Sequence, residues 1–474
     1  MWQLNKQQSG PFYSQLITLI EAKIASGELL PGEKLPPERK LAKELDVNRS
    51  TVARAFDELK ARGILVAVQG SGTHVNEEKW GVAAVQTNWR HYVQKGAFNH
   101  EIPYIRKMAE VSTEADVIDL ATGELPLELA PSLSMPEMSW QTFLQEENEN
   151  ELLGYMPLRK TIRDELKEEQ ELVVKTEQIL VTSGAQQALF LITQCLLAPF
   201  DAIAIEAPSY FYSLSLFQSA GLRIFALPMD EEGVKTEELK QLYHKHRIKM
   251  VFVNPTFQNP TGRVMSEARR LEFVKTCSVL HIPIVEDDPF GPLTYKSGQP
   301  ITPLKKLDEE NVLYIGSLSK VLGSTTRIGF LVGPVAVVRR LAAARQEMDF
   351  GLSIFPQVLA NQVLSRKAYK THIQNLHVIL MERAKTLTDA LTTYAPEILF
   401  EKPVGGFHLW VELPLETIQK SDFDALLREK LLVMPGYLFG VKENKLRLSF
   451  AQINQDTAVA AAKILQAFYE GLRK

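Results

Sequence analysis

Cysteine is nearly missing: Cys195 and Cys277 are the two in 474 residues, in neither a C-x-x-C nor a zinc-like spacing. That excludes a disulfide framework and makes a reducing cytoplasm the expected compartment. Long apolar runs are missing too. The most apolar stretch, Leu189 to Phe200, is interrupted by Thr193 and Gln194, and the N-terminal MWQLNKQQSG has no apolar core, so neither a membrane span nor export is expected. Glycine and proline, at 26 and 25 residues, are too few for a collagen-like or low-complexity chain. There is no strong charge excess either, with 53 basic against 57 acidic residues. The resulting −4 argues against a nucleic-acid partner unless charge is read part by part. What is there, 45% hydrophobic and 23% charged residues, fits an ordinary globular chain.

Residues 1–78 carry ten basic and ten acidic residues, but Lys34 to Arg62 holds eight basic against five acidic. Leu16, Ile17, Leu19, Ile20 and Ile24 predict a helix over Ser14 to Ala25, stopped by Gly27. Pro36-Pro37 opens a second short helix carrying Leu41, Ala42 and Leu45. Asp46-Val47-Asn48 then separates it from a third, a joint of helix-turn-helix length. In the third helix Val52, Ala55, Phe56 and Leu59 fall at i, i+3, i+4 and i+7 and face inward, leaving Arg49, Thr51 and Arg54 near its exposed N-terminal end. Ile64 to Val68, Gln69-Gly70-Ser71-Gly72 and Thr73 to Val75 predict a β-hairpin with a Gly-rich tip. A small helical protein-interaction domain with solvated arginines is the bland alternative. The stretch from Pro11 to Val75 resembles the GntR-type winged helix-turn-helix module, α-helical with a small β wing. That resemblance implies double-stranded DNA as a partner. Arg39 and Arg49 would contact phosphate or groove, Thr51 and Arg54 would lie on the recognition helix, and Gly72 would let the wing tip approach the minor groove.

Residues 79–116 place Trp80, Trp89, Tyr92 and Tyr104 among polar residues and read as a partly ordered linker able to pack on either neighbour. The acidic run Glu146 to Glu151 reads as a solvated loop or helix start without function.

From Val117 onward, apolar runs of strand length alternate with helical segments: Ile179 to Val181, Ala202 to Ile205, Met250 to Val253, Ile284 to Val285, Val312 to Ile315 and Phe330 to Val332. This rhythm predicts a mostly parallel sheet covered by helices, with ligands at the C-terminal ends of the strands. Three segments sit there. Thr182 to Ala188 follows a strand and opens a helix, where free N–H groups and the helix dipole favour a phosphate. Glu286-Asp287-Asp288 puts a carboxylate at a strand end, although alone it reads as an acidic turn. Gly316-Ser317-Leu318-Ser319-Lys320, followed by Arg327 and Gly329, offers an amine able to form an imine among groups that hold a phosphate. SLSK also matches the S-x-x-K of penicillin-binding enzymes, but the chain has no SDN and no KTG, which rejects serine acylation.

Residues 117–474 resemble the class I aminotransferases, pyridoxal 5′-phosphate enzymes of the α/β fold type I. Matching segments are GYMPLR (Gly154 to Arg159), SGAQQAL, PSYF (Pro208 to Phe211), NPTG (Asn259 to Gly262), EDDPF (Glu286 to Phe290), SLSK and KLRLSF (Lys445 to Phe450). The resemblance implies that Lys320 forms the Schiff base with the cofactor, Asp287 pairs with the pyridinium nitrogen, Tyr210 stacks on the ring and Asn259 bonds its O3′. It further implies that Ala185 and Gln186 offer N–H groups to the phosphate, that Ser317, Ser319 and Arg327 hold its oxygens, and that Arg447 clasps a ligand carboxylate. Singly, Tyr210 reads as core, Arg327 as a surface charge and Arg447 as a structural ion pair. Their joint occurrence carries the functional reading. Two positions depart from the pattern: Phe290 stands where many relatives have a tyrosine bonding O3′, and Glu149 where many have one donated across a dimer to the phosphate. Tyr212 replaces an arginine of some GABA-sensing relatives, so GABA is not carried over.

A GntR-type head fused to an aminotransferase-like domain resembles the layout of MocR-type transcriptional regulators. That implies a head-to-tail homodimer in which pyridoxal phosphate, alone or with a small amino compound, alters the presentation of the DNA-binding heads. The alternatives are a working aminotransferase with an accessory head, and a DNA-binding dimer on an inert scaffold.

Overall fold

Leu16, Ile17, Ile20 and Ile24 are the buried stripe of α1 (Phe12–Ala25), which packs on α3 (Arg49–Ala61) through Val52, Ala55, Phe56 and Leu59. Between them α2 (Glu38–Leu45) contributes Leu41, Ala42 and Leu45. Each such Leu or Ile withdrawn from water stabilises the head by roughly 1.5–3 kcal/mol. Asp46, in the left-handed conformation at φ 52°, ends α2, and the Asn48 side chain caps α3 by accepting from the Ser50 N–H. β1 (Leu65–Val68) and β2 (Gly72–Val75) pair antiparallel with Val68 opposite Gly72, closing the wing.

The computed structural model describes residues 2, 11–76, 102–131, 139–148, 150–294, 301–349, 351–415, 418–441 and 444–473. Two compact units divide the chain, Met1–Asn99 and His100–Lys474. No described helix is long and apolar enough to cross a membrane.

The second unit opens with α4 (Pro103–Val111), inside the segment read as a linker. The sequence left its packing open. The structure places it on the large unit, where the buried Tyr104 donates its hydroxyl to the Val433 carbonyl at 3.1 Å and Lys107 pairs with Asp424 at 2.5 Å. Trp80, Trp89 and Tyr92 lie outside the described residues, as does Glu149. Glu151, read as merely solvated, instead pairs with the wholly buried Arg159, which also donates to the carbonyls of Gly154 and Thr176.

Then follow β3 (Ile118–Asp119), α5 (Met156–Gln170), β4 (Ile179–Thr182), α6 (Ala185–Cys195), β5 (Ala202–Ala207), β6 (Arg223–Asp230), β7 (Gly233–Val234), β8 (Met250–Val253), α7 (Glu267–Leu280), β9 (Ile284–Asp288), β10 (Val312–Ser317) and β11 (Gly329–Val332). The eight-stranded sheet runs β4-β11-β10-β9-β8-β5-β6-β7. It is parallel from β10 through β6, whereas β11 is antiparallel to both its neighbours. The apolar rhythm gave the six strand positions and not this reversal. β6 escaped the pattern because Pro228 interrupts it and much of it is only half-buried. After α8 (Val335–Asp349) and α9 (Lys367–Tyr394), a four-stranded antiparallel sheet of β12 (Leu399–Phe400), β13 (His408–Glu412), β15 (Met434–Pro435) and β16 (Lys445–Ser449) carries the KLRLSF segment. β14 (Leu431–Leu432) pairs with β3, and α10 (Gln455–Leu472) packs on α9.

Candidate functional site

Lys320 lies in a short helical turn directly after β10, and its Nζ donates to the Gly123 carbonyl at 2.6 Å. Burial holds the amine below the ordinary lysine range. Asp287 is the penultimate residue of β9 and is buried. Its Oδ2 accepts from the Tyr210 hydroxyl at 2.5 Å, its Oδ1 is buried without a partner, and burial pushes the carboxyl up to about 7. Tyr210, assigned to the ring face by resemblance, therefore also touches the carboxylate assigned to the ring nitrogen.

Asn254 ties this carboxylate to the next group: its Nδ2 donates to the Asp287 carbonyl at 2.6 Å, and its Oδ1 accepts from the Asn259 N–H at 2.7 Å. Asn259 in turn accepts from the Tyr210 N–H at its carbonyl and from the Arg447 guanidinium, at 3.1 Å, through Oδ1. Arg447 is buried in β16, bonds the Ala121 carbonyl, and is pushed down to about 10 by burial. Lys320, Asp287, Tyr210, Asn259 and Arg447 thus converge from five segments, with Lys320 and Arg447 anchored two residues apart on Ala121 and Gly123.

At the other end of the cleft, Gly184 (φ +79°) precedes α6, so Ala185 and Gln186 supply the first helical N–H groups. A Cβ at Gly184 would come within 3.8 Å of the Arg327 guanidinium. Gly329 permits this closeness: a Cβ there would lie 2.6 Å from the Gly184 carbonyl carbon and 2.7 Å from the Ala185 nitrogen. Ser317 and Ser319 are buried beside the turn, with Ser317 Oγ accepting from the Ser319 N–H at 3.4 Å. An amine, an unsatisfied carboxylate oxygen and a helix N-terminus beside a guanidinium fit an aldehyde-bearing pyridine phosphate. Phe290 is buried edge-on to Phe407 and His408, both at 5.3 Å.

Sequence reasoning missed Asn254, Gly123 and the steric role of Gly329. Asn254 had a signal, since Asn254-Pro255-Thr256 repeats Asn259-Pro260-Thr261 five residues earlier. Gly123 had none, because its carbonyl is brought to Lys320 by tertiary packing alone.

In the first unit Arg39, Arg49 and Arg54 are exposed and Thr51 is half-buried. Arg49 reaches back to Glu38 at 3.1 Å, and the Arg54 guanidinium lies 4.0 Å from the ring centre of Tyr13. Gly72 (φ +113°) sits at the wing, where a Cβ would meet Lys34 Cε at 3.2 Å. Arg49, Thr51 and Arg54 share the N-terminal half of α3, while Arg39 stands on α2.

Residues 115–465 match the family Aminotransferase class I and II, and residues 12–75 match Bacterial regulatory proteins, gntR family. The HTH-type transcriptional regulator YisV of Bacillus subtilis (strain 168) is 37% identical over 95% of this chain and 94% of its own length. Among solved structures, the Pyrococcus horikoshii kynurenine aminotransferase in complex with PMP is 30% identical, with a TM-score of 0.72 over 82% of this chain and 99% of that one. The Thermus thermophilus α-aminoadipate aminotransferase LysN, complexed with N-(5′-phosphopyridoxyl)-L-leucine, is 27% identical, with a TM-score of 0.70 over 81% and 99%. The chain belongs to the class I and II aminotransferase family and, with its gntR-family head, has the MocR-type architecture of HTH-type transcriptional regulators.

Proposed function

We propose that the protein is a DNA-binding transcriptional regulator that carries pyridoxal 5′-phosphate on Lys320 and responds there to the cofactor or to a small amino compound. The observation that carries the reading is the pairing, at one set of strand ends, of a buried lysine amine with the unpartnered Oδ1 of Asp287. The bound cofactor supplies an aldehyde for imine exchange and an electron-withdrawing pyridine ring.

Lys320 is the attachment point. Asp287 would hold a proton on the ring nitrogen, and Tyr210, which steadies Asp287 through its hydroxyl, would cover the ring. Asn259, oriented by Asn254 and Arg447, presents its amide to the ring hydroxyl. The α6 N-terminus, Ser317, Ser319 and Arg327 receive the phosphate. Arg447 is left to clasp a carboxylate entering beside Asn259. The kynurenine and α-aminoadipate aminotransferases named above support this reading through complexes with a pyridoxyl-type ligand.

With Phe290 in place of a tyrosine, no phenol from that position bonds the ring hydroxyl, which favours binding and sensing over sustained turnover. A ligand regulates DNA binding only through unequal affinity for two arrangements of the heads in the homodimer. The test is borohydride treatment followed by peptide mass spectrometry. A phosphopyridoxyl mass on the Lys320 peptide, lost in Lys320→Ala, supports the proposal, and an unmodified peptide overturns it. Sustained keto-acid production from an amino-acid panel would instead favour the aminotransferase alternative.

A further inference from the structure

Successive residues of a strand point to opposite faces of its sheet, so Asp288 projects away from the side that Asp287 serves. Asp288 is 4% exposed and lines a cavity of about 700 Å³ between the β9 and β10 ends, α5 and α9. That volume lies within the range of small-molecule sites. Neither Asp287, Tyr210 nor Lys320 lines it, although Ser317, read above as a phosphate contact, stands at its edge.

The floor is a hydrogen-bond chain with a definite polarity. Gln170 Nε2 donates to Tyr314 Oη at 2.9 Å, and Tyr314 donates to Asp288 Oδ2 at 3.0 Å. The donors are thereby used, while Gln170 Oε1 and Asp288 Oδ1 are buried without partners. Two unsatisfied acceptors at the floor, with the Gly291 N–H the further donor beside Asp288, favour a ligand that donates. The rim has the matching sign. Its basic groups are occupied, Lys370 by Glu168 at 2.5 Å and His377 by the Pro292 carbonyl at 2.6 Å, whereas Glu165, which feels the Lys370 charge, makes no ion pair of its own among the described residues. Tyr369 and Ile373 provide apolar and aromatic wall.

We propose that this cavity is a second ligand site, for an organic cation bearing N–H donors on an apolar body, of the amine or guanidine class. Its guanidinium or ammonium would satisfy Asp288 Oδ1 and Gln170 Oε1 together, with its body against Tyr369 and Ile373. Aromatic rings beside a bound cation add attraction. Occupancy would also relieve the repulsion between the adjacent Asp288 and Asp287 carboxylates, a coupling that rests on the cofactor reading, whereas binding itself does not.

The probe is benzylguanidine, which forms no stable imine with an aldehyde, compared with 3-phenylpropanoate, an anion of similar body. Calorimetry on the full chain is expected to show benzylguanidine binding at least tenfold tighter than the carboxylate, equally in wild type and Lys320→Ala. Asp288→Asn should weaken it at least tenfold, and Glu165→Gln severalfold. Equal binding of both probes, or binding unchanged in Asp288→Asn and Glu165→Gln, overturns the proposal. Should Asp288→Asn fail to fold, Glu165→Gln decides alone. Loss of benzylguanidine binding in Lys320→Ala places the cation in the cofactor cleft and overturns the second site, while a missing borohydride adduct with binding retained overturns the cofactor reading alone.

Discussion

Tyr210 donates its hydroxyl to Oδ2 of Asp287 at 2.5 Å, and the other oxygen of that carboxylate has no partner. The bonded and the unpartnered oxygen separate two roles that a single alanine substitution would merge. Asp287→Asn keeps the shape but removes the charge that, on the proposed reading, would retain a proton on the ring nitrogen. A hydrogen bond to a charged group contributes about 1.5–3 kcal/mol, so cofactor affinity should fall by at least tenfold. Tyr210→Phe keeps the ring and loses only the steadying hydroxyl, so its affinity should fall less than threefold. Fluorescence titration with pyridoxal phosphate checks the order; equal losses would mean that Asp287 acts through Tyr210 alone.

Gly329 supports a purely steric prediction. Its missing Cβ is what lets the β11 start lie against Gly184 and Ala185, with backbone atoms 2.6 and 2.7 Å from where that carbon would be. Backbone cannot move aside as a side-chain tip does, so Gly329→Ala must displace the N-terminus of α6. Overpacking of this kind costs typically 1–3 kcal/mol. Affinity for inorganic phosphate and for the cofactor should drop together, while Gly323→Ala, with nothing within 4 Å of the added carbon but strained at φ +96°, should spare phosphate affinity. Paired titrations of the two variants check this.

Much of this was legible in the sequence for identifiable reasons. Val52, Ala55, Phe56 and Leu59 announce α3 because helical period is a local property, and the strand-end motifs announce the cleft because strand, turn and helix are contiguous there. The antiparallel course of β11 was not legible, since direction depends on the connection through Ser324–Thr326 and not on the apolar run itself. Nor was the partnership of Lys320 with Gly123, which lies 197 residues away in the chain. Asp288 could not be told from Asp287 by sequence; only the strand's alternation assigns one to the cleft and the other to the cavity behind it.

The head yields a prediction about restraint. Arg49 is held by Glu38 at 3.1 Å and Arg54 lies over Tyr13 at 4.0 Å, so both pay to turn toward DNA. Arg49→Ala should weaken operator binding and lower the slope of log affinity against log salt by about one, as expected for a lost phosphate contact. Glu38→Gln should release Arg49 and tighten binding two- to fivefold at the same salt. Gel-shift titrations at several salt concentrations check both. If Glu38→Gln weakened binding, the ion pair would be orienting the arginine for DNA and not restraining it.

Buried carboxyls set the pH response of the cofactor-free protein. Burial pushes Glu206 up to about 8, and Asp287 and Glu286 up to about 7. Folded chains therefore hold protons that unfolded chains have already lost above pH ~5, and their stability falls as pH rises toward the folded values. His408 works the other way, because burial holds it well below its ordinary value, so its folded state gains as pH rises to about 6.5. Lys305, pushed down to about 8, acts above that value. Between pH 6.5 and 8 the three raised carboxyls are expected to outweigh what remains of the histidine effect, so the melting temperature should fall there. Glu206→Gln keeps an oxygen to accept from Asn254 and Gln258, which now bond Glu206 Oε1 at 3.1 and 2.9 Å, and should flatten the fall. Added pyridoxal phosphate should flatten it as well, since a protonated ring nitrogen favours the Asp287 carboxylate. Differential scanning fluorimetry across this range checks all three; a melting temperature that rose from pH 6.5 to 8 would show these carboxyls to be ionised in the fold.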